Sequence, residues 1–207
     1  MQITVNPEKD SEKEEISAKN GIENHRVLFE RYEERLKNLD PELLTPEDEI
    51  VLQEAFTHAK EFLGPEEVIK WFTVAAEPFY RSANWKILLP IYEELLDTAE
   101  RELGPESSGT AAVLSGLAGV YRYMGGKHED SLKLYLRALS IREKIPGSDH
   151  PETADTLSEL GILCSVMDRL EEALSYYTKA LEIQERFLSL RTLEPSGPLT
   201  GQLFIIS

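Results

Sequence analysis

The feature that most constrains the fold is a pattern of apolar and small residues between Thr153 and Leu188. Its members are spaced by three and four residues, which places each set on one face of an α-helix. The first set is Leu157, Leu160, Gly161 and Cys164, and the second is Leu170, Ala173, Leu174, Tyr177, Ala180 and Leu181. Because residues 167–169 separate the sets, the pattern predicts two antiparallel helices joined by a short turn. The glycine and the alanines are expected where the two helices cross closely, and Cys164 is expected to be a buried core residue.

Two further copies of this pattern lie upstream. The middle copy consists of Leu114, Leu117, Ala118 and Tyr121, followed by Ser131, Leu132, Tyr135, Ala138, Leu139 and Ile141. The weaker first copy consists of Phe72, Ala75, Ala76 and Phe79, followed by Trp85, Leu88, Tyr92, Leu95 and Leu96. One helix pair cannot bury its apolar face alone, so tandem copies are expected to stack against one another. The sequence therefore predicts an all-α chain with three repeats, at residues 64–103, 104–146 and 147–190.

The repeated pattern resembles the tetratricopeptide repeat, with Leu157 and Cys164 where that family often has Trp and Tyr. Its period of about 42 residues exceeds the usual ~34 of the family and is similar to that of kinesin light chains. The resemblance implies a right-handed α-solenoid of antiparallel helix pairs, with the first helix of each pair lining a concave peptide-binding groove. Carried over by position, it implies a groove lined by Lys70, Thr73, Glu77, Tyr80, Arg81, Ser115, Gly119, Arg122, Tyr123, Asp155, Ser158, Ile162 and Ser165.

The segments outside the repeats are predicted from composition and helix signals. Residues 1–20 are acidic and polar, which predicts a disordered N-terminal tail. Residues 21–63 are expected to form a divergent helical pair that caps the array. Its first helix is predicted from His25 to Leu39, and its second, capped by Thr45, from Pro46 to Leu63. Pro78 and Pro90 are expected to kink the helices of the first repeat. Residues 191–207 are predicted to be a C-terminal tail that contains the apolar run Leu203–Ile206.

The composition argues against several classes of protein. The chain has 22 Lys and Arg residues against 38 Asp and Glu residues, a net charge of −16. Such a charge repels nucleic acid and anionic membrane surfaces, so neither is an expected partner. No apolar run has the roughly 20 residues of a membrane span, so membrane insertion is not expected. The N-terminus has no secretory or transit pattern, which predicts a cytoplasmic location.

The sequence contains no pattern that is typical of catalysis or of metal binding. Its histidines, at positions 25, 58, 128 and 150, lack the spacing of metal ligands. The Gly125-Gly126-Lys127 stretch lies between two predicted helices and not between a strand and a helix, so it is not a phosphate-binding loop. We therefore expect no cofactor, no metal and no enzymatic activity.

These observations favour a non-catalytic adaptor or scaffold that binds a peptide segment of a protein partner. On the expected groove, Lys70, Arg81 and Arg122 lie beside two tyrosines and face only Glu77 and Asp155. An acidic partner segment with an embedded aromatic or aliphatic anchor would suit that face. The alternative reading of these arginines is that they neutralise neighbouring acids.

The rival function is structural, with self-association or docking through an apolar C-terminal face. A third class of function is an enzyme subunit that the repeats regulate.

Overall fold

The structure, a computed structural model, describes residues 7–147 and 149–193. Within these residues the chain forms nine α-helices joined by short turns. They are α1 Pro7–Lys37, α2 Pro46–Lys60, α3 Pro65–Ala75, α4 Glu77–Arg81, α5 Trp85–Glu102, α6 Ser108–Tyr123, α7 His128–Arg142, α8 Pro151–Val166 and α9 Leu170–Leu193. One π-helical turn, Glu143–Gly147, follows α7. No strand occurs in the described part of the chain, and the all-α prediction is confirmed.

Neighbouring helices pack as hairpins along the chain. The closest partners are α1 with α2, α6 with α7 and α8 with α9, while α5 packs against α3 and α6. The hairpins then stack, because α7 also contacts α8 and α6 also contacts α3. The pairs α3–α5 and α6–α7 lie within the predicted ranges 64–103 and 104–146. Helix α9 continues to Leu193, beyond the predicted end of the last repeat at 190. The domain boundaries themselves remain a prediction.

Side-chain caps explain where several helices begin. The backbone N–H and the hydroxyl of Thr45 donate to Oδ2 of Asp48 at 2.9 and 2.8 Å, as predicted for the start of α2. Burial alone would raise the pKa of the Asp48 carboxyl. The hydrogen bonds from Thr45 and from Arg35 outweigh burial and hold that pKa below its ordinary value. At α6, the Ser107 hydroxyl accepts from the N–H of Thr110 at 3.1 Å.

Two predicted helix boundaries are wrong at the N-terminal end of the chain. Helix α1 begins at Pro7 and not at His25, so residues 7–20, expected to be disordered, are helical. The physical reason is that Glu and Lys, which fill this stretch, are strong helix formers, and proline suits the first position of a helix. Residues 1–6 lie outside the described residues. Helix α2 ends at Lys60 and not at Leu63, and Gly64 precedes α3.

The prolines of the first repeat act differently from one another. A break at Ala76 divides the expected first helix into α3 and α4, and Pro78 lies at the start of α4. Pro90, by contrast, lies inside the continuous helix α5. Pro90 is the sixth residue of α5, so it lacks the N–H that would donate to the carbonyl of Lys86, yet the helix continues through it.

At Gly161 and Gly116, the atoms nearest to an added Cβ belong to tyrosine rings and not to a helix backbone. A Cβ at Gly161 would lie 2.6 Å from Cε1 of Tyr177, and a Cβ at Gly116 would lie 2.3 Å from Cε1 of Tyr92. Gly161, expected where the two helices cross closely, thus accommodates a ring of the partner helix α9. Cys164 is buried as predicted, and burial raises the pKa of its thiol.

Candidate functional site

A cleft of about 460 Å³ lies between the first helices of three successive hairpins. Nine of the thirteen residues that the sequence predicted for the groove line it: Thr73, Glu77, Tyr80, Arg81, Ser115, Gly119, Arg122, Tyr123 and Asp155. Four others do not: Lys70, Ser158, Ile162 and Ser165. The hydroxyls of Ser158 and Ser165 instead donate to carbonyl oxygens one turn back in their own helix, those of Ala154 and Gly161. Seven lining residues were not predicted: Tyr92, Ala112, Gly116, Tyr135, Arg142, Thr156 and Glu159.

Arg122, near the end of α6, holds a fixed position in this cleft. Its Nη2 atom lies 2.9 Å from Oε2 of Glu159, and its side chain is only 12% exposed. The guanidinium carbon lies 4.6 Å from the ring centroid of Tyr123, which stacks in turn on Trp85 at 4.8 Å. The buried Nε atom of Arg122 has no hydrogen-bond partner among the described residues. This arginine therefore retains one buried donor that a ligand could use.

Arg142 is the second buried arginine of the cleft, and it comes from α7. Its Nη1 atom donates to the hydroxyls of Ser115, at 3.1 Å, and Thr156, while its Nε lies 3.8 Å from a carboxylate oxygen of Glu152. Burial lowers the pKa of the guanidinium, although an arginine stays protonated near neutral pH. Its Nε atom also has no hydrogen-bond partner in the described part of the chain. Sequence reasoning missed Arg142 because only first helices were assigned to the groove.

Three tyrosines form the floor of the cleft, of which Tyr92 and Tyr135 are buried and Tyr80 is partly buried. The hydroxyl of Tyr80 donates to the carbonyl oxygen of Gly116 at 2.6 Å, and that of Tyr135 donates to Oε2 of Glu159 at 3.1 Å. Burial raises the pKa of Tyr92 to about 12 and the pKa of Tyr80 and Tyr135 well above the ordinary range. All three phenols are therefore neutral at physiological pH and act as hydrogen-bonding groups on an otherwise apolar floor.

The formal charges of the cleft balance. Arg81, Arg122 and Arg142 contribute three positive charges, while the carboxylates that line the cleft are Glu77, Asp155 and Glu159. The sequence predicts a mainly positive face, and the structure corrects this prediction in two respects. Lys70 lies outside the lining, and Glu159 lies inside it. The ion pair of Arg122 with Glu159 is the acid-neutralising contact that the sequence analysis weighed as its alternative.

A second, apolar groove adjoins the cleft towards the N-terminus. It has a volume of about 530 Å³ and shares Thr73 and Glu77 with the cleft. Its other lining residues come from the end of α1 and from the α3–α4 segment: Glu33, Leu36, Lys37, Trp71, Val74, Ala75 and Pro78. The side chain of Val74 is 75% exposed there. The two depressions thus form a continuous surface that is charged and aromatic at one end and apolar at the other.

The outer face of α9 is a separate surface. Its large apolar side chains between 39% and 68% exposed are Leu170, Leu174, Tyr177, Leu181, Phe187 and Leu188. We call Leu170, Leu174, Tyr177, Leu181 and Leu188 the α9 seam, because their spacing by three, four or seven residues places them in one stripe. The adjacent stripe, with Ala173, Ala180 and Ile183, is buried against α8. The face predicted to pack in this helix is therefore only partly buried, because Leu170, Leu174 and Leu181 are exposed. Residues 194–207, which include Leu203–Ile206, lie outside the described residues.

The described residues hold no obvious metal centre or membrane helix. Among them, no three His, Cys, Asp or Glu side chains are grouped in a way that could bind a metal ion. None of the described helices combines the length and the apolar character that a membrane crossing requires.

Comparison with known proteins finds one matching family model and several solved structures with a similar architecture. Residues 125–186, which span α7, α8 and most of α9, match the family model described as tetratricopeptide repeat. No curated protein matches the sequence. Among solved structures, BtubC (BKLC) from P. vanneervenii is 18% identical, with 95% of this chain and 98% of that chain covered and a TM-score of 0.53.

Two further solved structures are similar at lower scores. A putative kinesin light chain of Podosopora anserina, described as having nearly identical TPR-like repeats, is 15% identical over 86% of this chain and 94% of that one, with a TM-score of 0.49. MamA is 18% identical over 91% of this chain and 99% of that one, with a TM-score of 0.41. At such identities the likeness to BtubC shows the fold alone. The predicted repeat pattern and α-solenoid are confirmed.

Proposed function

Because residues 125–186 match the tetratricopeptide-repeat family model, we propose that this chain is a non-catalytic adaptor or scaffold that binds a peptide segment of a protein partner. The repeat fold supports a role in protein interaction in general. The proposed binding site is the cleft lined by Arg81, Arg122 and Arg142 together with the adjoining apolar groove.

The observation that carries the proposal is the pair of buried guanidinium groups in the cleft. Arg122 and Arg142 each keep a buried Nε–H without a hydrogen-bond partner among the described residues, although both are otherwise held in place. A buried donor without a partner costs free energy, about 1–3 kcal/mol, which a ligand acceptor would recover. Arginine and tyrosine side chains in desolvated pockets are also the groups that most often carry binding energy.

The chemistry of the two depressions suggests the chemistry of the partner. Carboxylates of an acidic segment would pair with the cleft arginines, which can make forked contacts with carboxylate oxygens. An aliphatic or aromatic anchor of the same segment would enter the apolar groove beside Trp71 and Val74. The net charge of −16 would slow the approach of an acidic partner. Attraction must therefore be local, within a Debye length of about 8 Å at physiological salt.

Charge reversal in the cleft tests this proposal. A partner captured from a lysate and identified by mass spectrometry is titrated by calorimetry against Arg81→Glu, Arg122→Glu and Lys179→Glu. We expect each cleft variant to weaken binding by about 1–3 kcal/mol, the range for hydrogen bonds to charged groups. Lys179, which is exposed on α9, serves as the matched control and should change the affinity little.

Thermal melts of the three variants separate lost binding from lost folding. Arg81 is exposed, so its reversal tests the cleft with the least disturbance of packing. Equal affinity of the cleft and control variants, with all three folded, would refute the concave cleft as the binding site. Self-association would then be the better account.

The α9 seam supports a second candidate function, a structural role through self-association or docking. Its leucines are 55–68% exposed, and tandem repeats ordinarily bury such a stripe against the next helix. Light scattering over a range of protein concentrations measures the mass, and Leu174→Glu introduces a charge at the most exposed position of the seam. A dimer that Leu174→Glu dissociates would support this function. A monomer at all concentrations, unchanged by the substitution, would argue against self-association.

A further inference from the structure

The carboxylate of Glu159 occupies the position in the cleft that best suits an incoming acidic group. Its Oε2 atom accepts from Nη2 of Arg122 at 2.9 Å and from the hydroxyl of Tyr135 at 3.1 Å. Tyr135 is buried, at 1% exposed, and the side chain of Arg122 is largely buried, at 12% exposed. The side chain of Glu159 is 38% exposed. The donors are therefore fixed in the wall of the cleft, whereas the acceptor borders solvent.

The two ends of this contact differ in how freely they can move. Arg122 is held by the ring of Tyr123 at 4.6 Å, and Tyr135 belongs to the core between α6 and α8. Glu159 lies on α8 and reaches the donors with a side chain of three rotatable bonds. Rotation of that side chain would release Arg122 and Tyr135 without moving a helix. The exchange would replace one carboxylate by another, so the buried donors would never lack an acceptor.

We propose that Glu159 is an internal competitor that sets the charge selectivity of the cleft. In the free protein its carboxylate takes the place of a partner carboxylate at Arg122 and Tyr135, and an acidic segment binds by displacing it. The net affinity for an acidic group is then the difference between two similar contacts. Weakly acidic segments are rejected, and segments that also fill the apolar groove are accepted. This inference rests on the proposed function of the cleft.

Removal of the charge of Glu159 tests the inference. The probe is a fluorescein-labelled Glu-Glu-Leu-Phe-Glu-Glu peptide, with a Gln-for-Glu version as the neutral probe, and binding is measured by fluorescence anisotropy at two salt concentrations. Glu159→Gln keeps an oxygen that can accept from Tyr135 but competes less well for Arg122. We expect Glu159→Gln to bind the acidic probe about two- to fivefold more tightly than the unaltered protein, by analogy with partly exposed ion pairs. Its affinity should also depend more steeply on salt, and binding of the neutral probe should not change.

Asp155→Asn is the matched control, because Asp155 lines the same cleft one turn earlier on α8 and its substitution removes the same charge. If the effect is the loss of a nearby negative charge, both variants should gain equally. If Glu159 competes directly, Asp155→Asn should change the affinity by less than about twofold. An equal gain in the two variants would therefore overturn the inference.

Arg122→Glu separates failure of this inference from failure of the proposed function. If Arg122→Glu weakens binding of the acidic probe while Glu159→Gln matches the unaltered protein, the cleft binds the probe and the competitor role is refuted. If Arg122→Glu binds as well as the unaltered protein, the cleft is not the site and the proposed function fails. If neither the unaltered protein nor Glu159→Gln binds the acidic probe, the competitor role is also overturned.

Discussion

The packing of Tyr92 against Gly116 leads to a sharp prediction about stability. An added Cβ at Gly116 would lie 2.3 Å from Cε1 and 2.5 Å from Cζ of Tyr92, whereas non-bonded carbons prefer about 3.5–4.0 Å. The ring must therefore move by more than about 1 Å if Gly116→Ala is to fold. It has little room, because Tyr92 is 3% exposed and its ring packs edge-on against Phe72 at a centroid distance of 5.0 Å.

The expected change in unfolding free energy for Gly116→Ala follows from two opposing effects. Overpacking of a filled core costs about 1–3 kcal/mol, while replacing a helical glycine by alanine gains about 1 kcal/mol. Given the short distance and the buried ring, we expect Gly116→Ala to lose about 1–2 kcal/mol of unfolding free energy. Gly119, one turn later, is the matched control. A Cβ there would lie at ordinary distances, 3.5 Å from the Tyr135 oxygen and 3.7 Å from the Tyr80 ring, so Gly119→Ala should gain up to about 1 kcal/mol.

The difference in stability between Gly116→Ala and Gly119→Ala is measured by urea unfolding, monitored by far-ultraviolet circular dichroism. With an m-value of about 2 kcal/mol per M, a gap of ~2 kcal/mol separates the two midpoints by roughly 1 M. The double variant Gly116→Ala with Tyr92→Leu, which removes the obstructing ring, should recover part of the overpacking loss. If Gly116→Ala proves as stable as Gly119→Ala, the ring of Tyr92 is not confined as the structure implies, and the packing argument is wrong.

Three further predictions concern other parts of the chain. Ala180→Glu should lower the thermal midpoint strongly, because it places a charge at a buried position, while the exposed Lys179→Glu should leave it unchanged. Asp48→Asn should cost about 1 kcal/mol at neutral pH. Since the folded-state pKa of Asp48 lies below 3.8, its stabilisation is present above that pH and is lost as the pH falls through the folded-state pKa, so unfolding curves of variant and parent should converge in acid. If the segment Thr200–Ser207 covers Leu174 and the α9 seam, deleting it should lower the solubility of the protein or change its mass in light scattering. If neither the solubility nor the mass changes, the segment does not cover the seam.

The sequence by itself was sufficient for the architecture, because the relevant signals are local. The spacing of Leu157, Leu160 and Gly161 requires only that a helix has 3.6 residues per turn. The caps at Thr45 and Ser107 depend on residues three positions away in the chain. The same local logic, applied to residues 7–20, favoured disorder on grounds of charge and overlooked the helix propensity of Glu and Lys.

The composition of the cleft was only partly accessible from the sequence. The resemblance to the tetratricopeptide repeat, carried over by position, implied a groove that includes Arg122, Tyr123 and Asp155, and these residues line the cleft. The same carry-over also assigned Ser158 and Ile162 to the groove, but these residues lie on α8 outside the cleft lining. Periodicity defines which residues share a face of a helix, but it does not define how far that helix is rotated towards its neighbours.

The tertiary structure alone decided which side chains meet across helices. Arg142 and Tyr135 belong to α7, a second helix, and enter the cleft because α7 packs between α6 and α8. Glu159 faces Arg122 because the rotation of α8 about its axis is set by packing, including the ring of Tyr177 seated over Gly161. Such rotations depend on the summed contacts of many side chains that are distant in the chain. A repeat pattern therefore determines the solenoid, while the charge balance of its concave face emerges only when the helices pack.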